Sequence, residues 1–377
     1  MKIPLSGPDI TKKDIAAVVA VLKTSRLSLG PKLPEFEERF ARYIGRRYAI
    51  AVNSGTSGLH LCIRALGIKA GDEVITTPFS FIASANCILF ERARPVFADI
   101  RPDTYNIDES VIENKITKKT KAILPVHVFG YPCDMPKIVK IAKKHGLKVI
   151  EDSCESIGAT ISGKNVGTFS DCSVFAFYPN KQMTTGEGGM VVTDSKDTAE
   201  LVRSMRNQGR DEGVAWLEHN RLGYNYRLSD IHCALGITQL ARIREMLAKR
   251  SRVAKLYGRV LSGIGGTILP LQSSSGAERS WFVYVVRLDT TFTGSERDEI
   301  LKRLKAKGIG CNNYFPPIHL QPFYVKEFGY RPGDFPVTES VSKRTIALPF
   351  FNNLSGNDVK CVAMNLKKII TEVKRHG

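Results

Sequence analysis

The chain has 377 residues with ordinary hydrophobic (43%) and charged (24%) fractions, which excludes a disordered or fibrous protein and leaves room for a large core. Apolar runs fall well short of the roughly 20 residues a membrane helix needs, and Met1-Lys2-Ile3-Pro4-Leu5-Ser6 lacks the apolar core of a secretory leader, so a cytoplasmic protein with no membrane partner is expected. The formal charge of +18 admits nucleic acid, anionic substrates or a basic surface; the cations are spread through helix-like stretches with no basic run interleaved with aromatics, which favours the solvated surface and no nucleic-acid partner. Eight scattered cysteines without a Cys-x-x-Cys pair read as buried free thiols, and seven histidines without ligand spacing point to no metal.

From about residue 50 to 195, short apolar runs at 49–52, 73–76, 121–124, 148–150, 173–175 and 190–192 alternate with amphipathic stretches such as 135–144. That pattern predicts an α/β layer with a mostly parallel mixed sheet flanked by helices, whose ligand sites lie at the carboxyl ends of the strands. The spacing of Ile231, Leu235, Leu240, Ile243 and Leu247 predicts one long helix over about 228–256. Beyond the polar run near 272–276 the pattern restarts, with a strand at 281–287, a helix near 297–307 and a last helix from about 357. A large domain over 1–255 and a smaller C-terminal α+β domain over 256–377 are therefore expected.

Three stretches carry candidate chemistry. Asn53-Ser54-Gly55-Thr56-Ser57-Gly58 joins an apolar strand to a helix-like run, placing small residues and unpaired N–H groups at a helix start; it is an anion site or simply a good cap. Asp152 directly follows an apolar strand. Lys181 precedes Gly186, Gly188 and Gly189, which lead into a strand. The glycines stand on the wrong side of this lysine for a phosphate-wrapping P-loop, and the nearer match at Gly158–Lys164 has Asn165 where a hydroxyl belongs. Taken singly, an aspartate capping a loop and a lysine on the surface are the commoner fates of such residues. Together the three stretches supply what pyridoxal phosphate requires: a phosphate cradle, a carboxylate to keep the ring nitrogen protonated, and an amine for a Schiff base.

The chain resembles the DegT/DnrJ/EryC1/StrS family of sugar aminotransferases, which use pyridoxal 5'-phosphate on the aspartate aminotransferase fold (fold type I). The likeness runs nearly end to end through Ile3–Pro8, Leu27–Gly30, Ser54-Gly55-Thr56, Pro78–Asn86, Glu151-Asp152, Lys181 with Thr184–Gly189, Gly223-Tyr224-Asn225-Tyr226-Arg227 and Pro317-Ile318-His319. The resemblance implies that Lys181 forms the Schiff base and shuttles the proton, while Asp152 pairs with the ring nitrogen. It implies too that Phe81 stacks on the cofactor and that Thr56 and Ser57 bind its phosphate. Asn225 would reach the phosphate of a neighbouring subunit in a homodimer with shared active sites. Arg227 would meet anionic substrate groups and His319 would lie at the pocket rim. Two positions depart from the family pattern. Ala176 stands where a serine usually binds phosphate, and Glu155 stands beside the phenolic oxygen, where a carboxylate should repel it unless protonated or rotated away.

The expected reaction moves an amino group from glutamate or glutamine to a keto group of a nucleotide-linked sugar, in deoxyaminosugar or surface polysaccharide biosynthesis. Two alternatives stay open on sequence. One is a nucleotide-sugar dehydratase using the same cofactor, against which Lys181 argues because such enzymes carry histidine there. The other is a regulatory or nucleic-acid-binding protein on the same scaffold.

Overall fold

The computed structural model describes residues 2–213, 215, 217–274 and 276–376. Short valine and isoleucine runs form its central sheet because helices cover both faces of the strands. The helices of the first part are α1 (Lys12–Leu22), α2 (Lys32–Ile44), α3 (Gly55–Ala65), α4 (Ala83–Leu89), α5 (Met135–His145) and α6 (Lys196–Arg206). The strands are β1 (Tyr48–Val52), β2 (Glu73–Thr76), β3 (Arg94–Phe97), β4 (Thr120–Ile123), β5 (Lys148–Asp152), the short pair β6 (Thr160–Ile161) and β7 (Lys164–Asn165), then β8 (Cys172–Ala176) and β9 (Gly189–Thr193).

Seven of these make one sheet in the order β1-β9-β8-β5-β4-β2-β3. β9 runs antiparallel to β1 and β8, and the other neighbours are parallel. Alternate residues of one strand go to opposite faces. Ile50, Val52, Val174 and Val191 pack with Leu59 and Ile63, whereas Ala49, Ala51, Phe175, Met190 and Val192 pack with Phe36, Phe40 and Ile237.

The helical stretch after residue 228 corrects the sequence reading. It is two helices, α7 (Asp230–Ala241) and α8 (Ile243–Leu261), broken at Arg242. The Arg242 guanidinium donates to the Asp9 carbonyl at 2.9 Å and to Asp14 Oδ2 at 3.0 Å, so the N-terminal segment seats against the break. Apolar spacing cannot register this, because no glycine or proline marks the break. α8 passes through the expected boundary at 255/256, and its last turns belong to a second core.

That second core joins Val253, Tyr257 and Leu261 to strands β10 (Thr267–Ile268), β13 (Tyr284–Leu288) and β14 (Thr345–Leu348) and helices α9 (Gly294–Ala306) and α12 (Gly356–His376). Between them, β11 (Ser273–Ser274) and β12 (Ala277–Glu278) return to the β6–β7 hairpin, making a four-stranded sheet. α10 (Pro322–Phe328) and α11 (Pro336–Ser342) enclose Tyr324 and Phe335 against Phe97 of β3. Gly163 and Lys164 lie in and beside the β6–β7 turn, with no helix following, so the second P-loop candidate is excluded.

Candidate active site

The carboxyl ends of β1, β5 and β8 meet the start of β9: Val52 and Ala176 both pair with Gly189, and Asp152 pairs with Val174. A side chain on Gly189 would place its Cβ 2.6 Å from the Ser54 carbonyl oxygen and 2.8 Å from Gly55 N. Only glycine lets β9 begin that close to the start of α3. Ser54 caps α3, its Oγ accepting from Ser57 N at 3.0 Å, and Ser57 Oγ donates to Asn53 Oδ1 at 2.6 Å. The Ser57 hydroxyl is thus spent on shaping the turn, whereas the Thr56 hydroxyl makes no hydrogen bond among the described residues. A Cβ at Gly55 would lie 2.8 Å from Ala176 Cβ and 3.0 Å from Cys154 Sγ, so small apolar groups, not a hydroxyl, close the floor.

Strand alternation gives Glu151 and Asp152 opposite tasks. Glu151 is wholly buried and accepts from Gly167 N (2.8 Å), Phe169 N (3.0 Å) and Ser170 Oγ (2.7 Å), with His127 Nε2 at 3.1 Å. Burial pushes its carboxyl up, but His127 and these donors outweigh burial and hold it below the usual glutamate range. Asp152 points the other way. Its Oδ2 accepts from Ser84 Oγ at 2.8 Å and its Oδ1 from Cys154 N at 3.1 Å, which fixes the carboxylate and leaves lone pairs on both oxygens.

Lys181 sits in the crossing from β8 to β9, where Gly186 takes φ +84°, a left-handed turn that glycine adopts without strain. Lys181 Nζ lies 3.7 Å from Glu155 Oε1 and 4.0 Å from the centroid of the Phe282 ring, with its side chain 13% exposed. Glu155 Oε2 accepts from Phe129 N at 2.8 Å. Burial pushes the Glu155 carboxyl up, and Lys181 and the Phe129 N–H only partly oppose it. One Glu155 oxygen is thus tied to the backbone and the other faces the lysine, and burial shifts the carboxyl toward its neutral form.

Phe81 leads into α4 with its side chain 63% exposed, and its carbonyl lies 3.2 Å from the same Ser84 Oγ that holds Asp152. An exposed aromatic so close to a buried carboxylate fits a ring-stacking place. Asn225 is exposed, while Tyr224 and Tyr226 on either side stack 4.9 Å apart against the core; the Asn53 N–H donates to the Tyr226 carbonyl at 2.9 Å. Arg227 donates to Asn207 Oδ1 at 3.0 Å. His319 is fully buried, its Nε2 3.1 Å from Glu339 Oε1 and its ring against Phe335, while its Nδ1 has no partner among the described residues. Burial pushes its pKa down and Glu339 only partly restores it. The structure thus gathers Lys181, Glu155, Asp152 and the start of α3 at the carboxyl ends of the central strands, and sets Asn225 on the surface and His319 in the interior.

The family model for DegT/DnrJ/EryC1/StrS aminotransferases matches residues 8–367. The chain belongs to this family. It is 38% identical over 378 residues to the spore coat polysaccharide biosynthesis protein SpsC of Bacillus subtilis, covering 98% of this chain and 97% of that one. It is 37% identical over 371 residues to the GDP-perosamine synthase of Caulobacter vibrioides, covering 98% of each. Among solved structures, Spr1654 from Streptococcus pneumoniae in its PLP form superposes with a TM-score of 0.94 at 28% identity, over 99% of this chain and 100% of that one. The chain is therefore an aminotransferase of fold type I that uses pyridoxal phosphate.

The residues present suit that cofactor. The start of α3 and the Thr56 hydroxyl offer donors to an anion, Asp152 keeps acceptor capacity although nearly buried, and Lys181 is a half-enclosed amine beside them. Sequence reasoning missed Ser84 and Phe282. Ser84 could have been found, since it lies three residues after Phe81 within the quoted Pro78–Asn86 stretch, one helical turn on. Phe282 arrives from the far side of α8, and no local signal announces it.

Proposed function

We propose that this protein transfers an amino group from glutamate or glutamine to a keto group of a nucleotide-linked sugar, in deoxyaminosugar or surface polysaccharide biosynthesis, as a cytoplasmic homodimer with shared active sites. The observation that carries the reading is the convergence of Lys181, Asp152 and the α3 start at the carboxyl ends of the central strands. The similarity to GDP-perosamine synthase supports the nucleotide-linked sugar, and the similarity to SpsC supports the polysaccharide setting.

The bound cofactor supplies an aldehyde that receives the amino group and a ring that draws electrons from the carbon losing its proton. In this reading the chain's own residues do the rest. Lys181 Nζ anchors the cofactor and, once released, takes the proton from the donor's α-carbon and returns one in the second half of the reaction. Asp152, braced by Ser84 and the Cys154 N–H, would face the ring nitrogen and Phe81 would cover the ring; Thr56 and the free α3 N–H groups would receive the phosphate, with Ser57 shaping the turn that presents them. Glu155 stands against Lys181, one oxygen 3.7 Å from its amine. His319, buried against Glu339, would act on substrate only through the segment it holds.

The dimer is supported by an apolar surface. Ile10, Ile15, Val19, Leu22, Leu27 and Leu29 are 41–56% exposed along α1 and the segments flanking it, which is costly unless a second copy covers them. The exposure of Asn225, backed by stacked tyrosines, supports its reach out of its own subunit, and Arg227 beside it would meet anionic groups of the substrate.

The test is spectroscopic. Glutamate or glutamine alone should bleach the yellow enzyme stoichiometrically and then stop, and a nucleotide ketosugar should restore the colour with release of one aminosugar per site. No bleaching by either donor would overturn the aminotransfer reading for these donors; bleaching that no ketosugar reverses would overturn the sugar.

A further inference from the structure

Arg250 in α8 is 1% exposed, yet it makes no ion pair with a carboxylate among the described residues. Its donors go to backbone carbonyls instead. Nη2 donates to Lys181 O at 2.8 Å and lies 3.3 Å from Asn180 O, while Nη1 donates to Phe282 O at 2.9 Å. Phe282 is the residue whose ring lies under Lys181 Nζ. One guanidinium therefore grips the peptide carrying the lysine and the peptide carrying the ring against which its amine rests.

A second fastening points the same way. Gln182 Nε2 donates to Glu155 O at 2.6 Å and lies 3.1 Å from Ser280 Oγ. The lysine loop is thus bolted to the 280–282 segment on both sides of Lys181, and Glu155 is included in the frame. A buried cation without an anion is costly, and burial brings the Arg250 pKa down to about 10. A neutral apolar side chain would fill the same space without that cost, but only the planar fork reaches the carbonyls of two segments at once.

We propose that Arg250 is a positioning residue for the amine of Lys181: it sets the lysine loop and Phe282 at a fixed separation, so that Nζ is held where it bonds the cofactor and later moves the proton. The inference rests on the reading of Lys181 given above. Misplacement by about 1 Å at a reacting group costs on the order of 100-fold in rate, and this is the effect to look for.

The experiment compares the cofactor-loaded full-length enzyme with Arg250→Lys and Arg250→Met. The rate of bleaching by the amino donor should fall about 10- to 100-fold in Arg250→Met, and less in Arg250→Lys, with the donor KM within about threefold of the parent. The fraction trapped on Lys181 by borohydride should fall in the same order. Unchanged rates per folded site, with only a lower melting temperature, would make Arg250 a structural brace and overturn the proposal. If neither variant folds, amide exchange of the unsubstituted enzyme without cofactor decides. Slow exchange at residues 180–182, comparable with the central sheet, supports the clamp, and exchange within seconds overturns it. A parent enzyme that never traps cofactor on Lys181 would refute the lysine reading itself, and this inference with it.

Discussion

Lys181 Nζ and Glu155 Oε1 stand 3.7 Å apart in a nearly closed site, with the other Glu155 oxygen held by the Phe129 N–H at 2.8 Å. The carboxyl thus has one fixed oxygen and one facing the amine that the reaction uses. Burial raises the Glu155 pKa, the Asp152 charge adds to the rise, and Lys181 opposes it. A raised acid gives its contribution to stability at low pH and loses it as pH climbs through the folded-state value. Replacing Glu155 with Gln should therefore make the cofactor-free protein gain on the parent as pH rises from the ordinary glutamate range. Urea midpoints measured from pH 5 to pH 8 check the sign; a variant that loses ground to the parent as pH rises contradicts it.

Glu151 has the opposite sign. Its carboxylate is held below the usual range, so its stabilisation is present above the ordinary glutamate value and is lost as pH falls through the lower folded-state value. Glu151→Gln replaces one of the two accepting oxygens with an NH2 that faces buried donors, and should cost about 3 kcal/mol at neutral pH. Denaturation of the two proteins at pH 7 and pH 4 should show the difference shrinking in acid.

Asp152 and Ser84 should separate by magnitude. Asp152→Asn removes the negative charge facing the ring nitrogen and should slow bleaching by the donor by about 10²- to 10³-fold. Ser84→Ala removes one hydrogen bond to that carboxylate and should cost about tenfold. Stopped-flow absorbance reads both, and equal effects would contradict the assignment of Ser84 as a brace.

How much of this was legible beforehand follows from where each residue's partners lie. The strands at 73–76 and 148–152 and the Ser54 cap are local patterns, and the sequence reading finds them within a residue or two. β3 is missed because Arg94-Pro95-Val96-Phe97 carries a charge and a proline at its start, yet it pairs with β2 at the sheet edge, where proline is tolerated. The α7–α8 break is written in Asp9 and Asp14, more than two hundred residues from Arg242. Asp152 and the α3 start could be named because each sits at a strand end with a distinctive composition, and Lys181 because it precedes a glycine cluster that leads into a strand. Phe282 could not, because its meeting with Lys181 is made by the tertiary fold alone.

The shared site has its own test. A Lys181→Ala chain and an Asn225→Ala/Arg227→Ala chain are each expected to be inactive. Mixed by refolding, half of the dimers should be mixed, with one of two sites intact, giving about a quarter of the parent activity. Mixed dimers that form and stay inactive would contradict the reach of Asn225 and Arg227 into the neighbouring pocket.

The most direct measurement concerns Lys181 itself. Reduction of the cofactor-loaded enzyme with borohydride, followed by digestion and mass mapping, should place a stable cofactor adduct on the peptide containing Lys181 and remove the yellow colour. An adduct on Lys164 instead, or no adduct in cofactor-saturated protein, would contradict the assignment of Lys181 as the residue that bonds the cofactor.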